Sequence, residues 1–89
     1  MLERQVEIVN KKGLHARAAA KFINLANGFE SDIMVARGED EVNGKSIMGL
    51  LMLAANKGTR LTLRAEGNDE ESAIEKISHL IESKFEESE

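Results

Sequence analysis

Residues 59–66, "TRLTLRAE", alternate without a slip: Leu61, Leu63 and Ala65 fall on one side of an extended chain, and Arg60, Thr62, Arg64 and Glu66 on the other. A period of two assigns the stretch to a strand. Apolar against polar on alternate positions assigns that strand to a sheet with one face packed and one face wet. A second layer must cover the apolar face, and the flanking segments supply it.

After the strand, Ala73, Ile74, Ile77, Leu80 and Ile81 recur at helical spacing, with Asn68 or Asp69 as the cap and Glu70 and Glu71 suited to the helix's positive end. Before it, Asn43-Gly44-Lys45-Ser46 is turn chemistry running into an N-cap, and an apolar helix is predicted from Ile47 to Ala55, stopped by Asn56-Lys57-Gly58. Ile33 to Arg37 is a strand, joined through Arg37-Gly38-Glu39-Asp40 to a short partner around Glu41-Val42. Ala16 to Asn27 carries Ala16, Ala19, Ala20, Ile23 and Ala26 as a helical stripe, with Asn27-Gly28 as its stop. Leu2 to Val9 sets Leu2, Val6 and Ile8 against Glu3, Gln5 and Glu7, again a half-buried strand. The order β-α-β-β-α-β-α predicts an α+β two-layer, open-faced sandwich: a four-stranded, mostly antiparallel sheet covered on one face by three helices. All 89 residues, 1–89, form a single domain in this reading.

Composition removes several functions. Aromatic residues make up 3%, only Phe22, Phe29 and Phe85, so the core is aliphatic and no stacking platform for single-stranded nucleic acid can be built. The net charge of −4 argues further against nucleic acid and anionic membranes as partners. With no cysteine, disulfides, zinc clusters and thiol chemistry are excluded. His15 and His79 make no metal motif, and neither a metal nor another cofactor is expected. The charged start "MLERQVEIVN" is no signal peptide and no segment approaches transmembrane length, so a cytoplasmic protein without membrane insertion is expected.

The chemistry concentrates in "KKGLHARAAAKF", residues 11–22. A helix start presents backbone N–H groups without intrahelical partners at the positive end of the dipole, a natural site for phosphate. His15 falls at or beside the N-cap, Arg17 adds a planar fork of donors, Gly13 lets the loop turn, and Ala16, Ala18, Ala19 and Ala20 leave the approach open. Such a histidine can act as a nucleophile toward phosphorus and hold a phosphoryl group for onward transfer. Pattern alone also admits a plain capping histidine and a solvated arginine.

"GLHARAAAKF" (13–22) and "VNGKSIMGLLMLAANKGTRLTLRAEGNDEESA" (42–73) resemble the two signature regions of the HPr family, the histidine-containing phosphocarriers of the bacterial phosphoenolpyruvate-dependent phosphotransferase system. The resemblance covers nearly the whole chain. It implies that His15 is phosphorylated on Nδ1, that Arg17 neutralises the phosphoryl group, and that Ser46 is a regulatory serine addressed by an HPr kinase/phosphorylase in some bacteria. It implies a docking region at Ile47, Met48, Leu51 and Met52 for enzyme I and for EIIA-type acceptor domains. It implies a monomeric carrier rather than a turnover enzyme. The alternative is a regulatory HPr-like paralogue that acts mainly by protein binding and is switched at Ser46. Where the family usually has proline after the arginine, this chain has Ala18, which keeps the helix and restores one N–H donor near the phosphate.

Ser46 read without the resemblance is first an N-cap. Met48 and Met52, and Ile47 and Leu51, lie four apart, giving this helix more apolar surface than one buried stripe needs, with Leu50 and Leu53 expected in the core. Methionine adapts its shape to successive partners. His79 is expected on the solvent face of the last helix, and the tail "KFEESE" (84–89) is expected to fray and to solubilise.

Overall fold

The computed structural model describes residues 1–87. The alternating stretch forms β4 (Arg60–Glu66) and lies inside the sheet, whose order is β1-β4-β2-β3. It pairs antiparallel with β1 (Leu2–Glu7), from Leu2 opposite Ala65 to Glu7 opposite Arg60, and antiparallel with β2 (Asp32–Arg37), from Asp32 opposite Glu66 to Ala36 opposite Thr62. β3 (Asp40–Asn43) closes the other edge as a hairpin with β2, so every pairing in the sheet is antiparallel. Leu61, Leu63 and Ala65 are buried, as the alternation requires, and each fully covered leucine contributes about 1.5–3 kcal/mol.

Three helices cover that face: α1 (Ala16–Ala26), α2 (Ile47–Met52) and α3 (Glu70–Glu82). α3 packs over β1 and β4 with Ala73, Ile74, Ile77, Leu80 and Ile81 inward, and α1 packs against both α2 and α3. Asp69 is the α3 N-cap residue, but its carboxylate does not cap that helix. It accepts from the backbone N–H groups of Glu30 (2.9 Å) and Ser31 (3.0 Å) and from the Ser31 hydroxyl, tying α3 to the segment before β2.

Three expectations need correction. The buried stripe of α1 is Ala18, Ala19, Phe22 and Ala26, not the one that includes Ala16 and Ala20; Ala16 is exposed and Ala20 only half-buried. Four alanines in five positions carry no contrast of size or polarity that would orient the stripe. α2 stops at Met52 rather than Ala55, because Ala54 is left-handed (φ 49°) and Arg37 Nη1 donates to the carbonyls of Leu53 (2.8 Å) and Ala54 (2.9 Å). Gly49 lets α2 lie close to the sheet: a Cβ there would meet Val42 Cβ at 3.0 Å.

The third correction concerns the tail. Lys84–Glu86 form a single turn (3₁₀ in hydrogen bonding) with left-handed dihedrals, φ 61°, 55° and 63°, and Phe85 is completely buried. Ser88 and Glu89 lie outside the described residues. Each non-glycine residue in this conformation costs about 1–2 kcal/mol. Burying Phe85 returns only about 1.5–3 kcal/mol, so the turn also depends on its polar anchors. Lys21 Nζ donates to the Phe85 carbonyl at 2.7 Å, and Glu87 reaches across to the loop before α1. Among the described residues no helix is long and apolar enough to cross a membrane.

Candidate functional site

β1 leads into the loop that opens α1, and that loop is pinned at several points. Ile8 exchanges backbone bonds with Thr59 and Gly58, and the Leu14 N–H donates to the Ala55 carbonyl at 2.8 Å. Gly13 has φ +68°, and a Cβ on it would lie 2.5 Å from the Ala55 oxygen, so only glycine fits this close approach. Asn10, fully buried, donates through Nδ2 to the Gly13 carbonyl at 2.8 Å.

This loop delivers His15 as the α1 N-cap, with extended backbone (φ −82°, ψ −179°). Its Nδ1 accepts the Arg17 N–H at 3.3 Å, a long bond that aims the nitrogen at the opening turn. Its Nε2 lies 2.7 Å from Glu87 Oε2, and the ring is about one-quarter exposed. Arg17 is exposed on the first turn, whereas Ala18 is buried beneath it. Thus of the four alanines expected to keep the approach open, Ala16 lies exposed at the mouth, while Ala18 and Ala19 face the core.

The carboxylate of Glu87 is shared between His15 and Asn10, whose Nδ2 donates to Oε1 at 3.1 Å. Burial pushes this carboxyl up, but the hydrogen bonds from His15 and Asn10, with the charge of Lys21 and that of the His15 ring when protonated, outweigh it and hold the group below the ordinary glutamate range. Sequence reasoning missed Glu87, Asn10 and Lys21. A lone phenylalanine in an otherwise charged tail, Phe85, was the available signal that the tail returns to the core.

Ser46 is the N-cap of α2, its Oγ accepting the Gly49 N–H at 3.1 Å. On the same helix Ile47 (42%), Met48 (66%), Leu51 (37%) and Met52 (78%) are exposed, while Leu50 and Leu53 are buried. Four large apolar side chains left in water on one short helix form an unusual surface. That helix packs against α1. His79 is exposed on α3, as expected.

The site thus combines a histidine N-cap, an arginine on the same first turn and an apolar face on the neighbouring helix. The family profile described as "PTS HPr component phosphorylation site" matches residues 2–83. The phosphocarrier protein HPr of Neisseria meningitidis is 49% identical over the full length of both chains. The crystal structure of HPr-C-His from Thermoanaerobacter tengcongensis superposes with a TM-score of 0.96 at 49% identity, each chain fully covered. An HPr dimer from the same organism is 50% identical with a TM-score of 0.78, covering 98% of this chain and all of that one. The sequence match and the fold agree, and the chain belongs to the HPr family of phosphocarriers of the phosphotransferase system.

Proposed function

We propose that this chain accepts a phosphoryl group on Nδ1 of His15 from phospho-enzyme I and passes it to EIIA-type or regulatory acceptor proteins, working as a monomer in the cytoplasm. The observation that carries the reading is the orientation of His15 Nδ1 toward the first turn of α1. The Nδ1 lone pair forms the N–P bond as the donor's bond to phosphorus breaks. The N–H groups of the first turn and the Arg17 guanidinium then hold the phosphoryl oxygens. Onward transfer reverses these steps toward the next acceptor. The protein returns unchanged only after it has been loaded and unloaded, so it serves as a carrier and not a turnover enzyme.

Partners dock in succession on Ile47, Met48, Leu51 and Met52, a patch small enough for short-lived contacts. Ser46 lies at the base of that patch, where a kinase-added phosphate brings about −1.5 to −2 charge and repels acidic partners.

The test is incubation with phosphoenolpyruvate and enzyme I, followed by intact mass and acid treatment. One acid-labile phosphoryl group is expected on the wild type, and none on a folded His15→Ala protein. An unmodified wild type, with enzyme I verified on another carrier, would replace this reading with a regulatory role exerted through binding.

A further inference from the structure

The Glu87 carboxylate closes the site from the ring edge opposite the helix mouth. Its 2.7 Å approach to His15 Nε2 spans 72 residues of sequence. The carboxylate is held from two sides. Buried Asn10 ties it to the same loop that presents His15, and the Lys21–Phe85 bond with the buried Phe85 ring fixes the turn that carries it. That turn is left-handed at three consecutive non-glycine residues, a conformation that persists only where the surroundings enforce it. An incidental surface contact would need none of this support.

An ionised carboxylate only accepts hydrogen bonds, so Nε2 must carry the proton. The Arg17 N–H on the other edge only donates, so Nδ1 must carry the lone pair. Both neighbours select the same neutral tautomer, the one whose nucleophilic nitrogen faces the mouth of α1.

We propose that Glu87 is a positioning residue for phosphoryl transfer, fixing His15 as the Nε2–H tautomer and balancing the positive ring formed when Nδ1 takes up a phosphoryl group. The proposal rests on the carrier reading above. As Nδ1 bonds to phosphorus, the electron pair of the breaking bond leaves with the donor, and Nε2 keeps its proton. The ring therefore becomes cationic without any base being required. A carboxylate at 2.7 Å offsets that charge. When the N–P bond breaks in onward transfer, its electrons return to Nδ1, the ring is neutral again, and Glu87 still holds the Nε2 proton. The pairing follows the carboxylate–imidazole logic of hydrolytic triads, with the imidazole as the nucleophile instead of the base. Glu87 is suited to it because the hydrogen bonds from His15 and Asn10 hold its carboxyl below the ordinary glutamate range.

The experiment compares wild type, Glu87→Gln and Glu87→Ala in two assays that need no partner protein. Nitrogen-edited proton NMR of the unphosphorylated chain should reveal a protected, downfield Nε2–H of His15. It should move upfield in Glu87→Gln, which keeps an acceptor but no charge, and be lost to exchange in Glu87→Ala. Phosphoramidate, a small donor that phosphorylates imidazoles and releases ammonia, should label His15 about tenfold more slowly in Glu87→Ala, with Glu87→Gln between. A wild type without the protected proton overturns the proposal. So does labelling at the wild-type rate in either variant. Because phosphoramidate replaces the protein donor, these outcomes are separate from any failure to accept phosphate from enzyme I.

Discussion

At the mouth of α2 the serine that opens the helix also closes its own cap, with Ser46 Oγ accepting from Gly49, three residues on. At the mouth of α1 the capping side chain is again satisfied locally, His15 Nδ1 by the Arg17 N–H, but its other nitrogen is held by Glu87, 72 residues away. Both helix starts use a capping side chain, yet the first is complete within one turn. The second needs a buried asparagine, a lysine on α1 and a left-handed turn beyond α3. A local cap suffices where the task is to start a helix and present a surface. A histidine that must hold one tautomer needs a partner on each ring nitrogen, and a single helical turn cannot supply both.

The contrast can be broken most severely at Phe85. Phe85→Ala should cost about 3–5 kcal/mol by urea denaturation and release Glu87, leaving the Ser46 cap in place. A loss below about 1 kcal/mol would mean that the tail is not part of the core. Next comes Gly13→Ala, which forces a Cβ against the Ala55 oxygen at positive φ. It should cost about 1–3 kcal/mol and speed exchange of the Leu14 amide, with unaltered exchange arguing against a tight loop. Ser46→Ala removes only the local cap and should cost about 1 kcal/mol. Ser46→Asp should keep the cap but slow loading from enzyme I, and an unchanged loading rate would remove charge repulsion from the account.

The smallest effect is on pH. Asp69, whose lead cause is the Ser31 hydroxyl, Glu70, bonded by the Gly67 N–H, and Glu87 are all held below their ordinary values of 3.8, 4.5 and 4.5. A depressed carboxyl stabilises the fold fully above its unfolded value and loses that contribution as pH falls through its folded value. The urea midpoint should therefore drop below about pH 4.5. In Glu87→Gln the drop should be shallower, whereas Ser46→Ala, which removes no carboxylate, should leave its shape unchanged.

What could be read from the sequence follows the same division between local and distant. The β4 alternation, the α3 stripe, the Ser46 cap and the exposed face of α2 are encoded within one element each, and all stand in the structure. His15 as N-cap was legible because helix starts have a short-range grammar. The end of α2 was read three residues late because Arg37, which takes the carbonyls of Leu53 and Ala54, comes from a strand. The stripe of α1 was misplaced because alanines give no periodic signal. The tail was read as frayed because four of its six residues are charged, and charge says nothing about where a single phenylalanine between them will go.

The position of β4 also dictates an order of assembly. It lies between β1 and β2 in the sheet, yet it follows both of them in the chain. As the polypeptide leaves the ribosome, β2 and β3 can zip into a hairpin, but β1 has no neighbour until residues 60–66 arrive. The fold is thus closed from its middle, late in synthesis, by pairings distant in sequence that slow folding relative to a purely local topology. Until that strand emerges, the nascent chain carries two unmatched sheet edges, and a translational pause ahead of residue 60 would prolong their exposure.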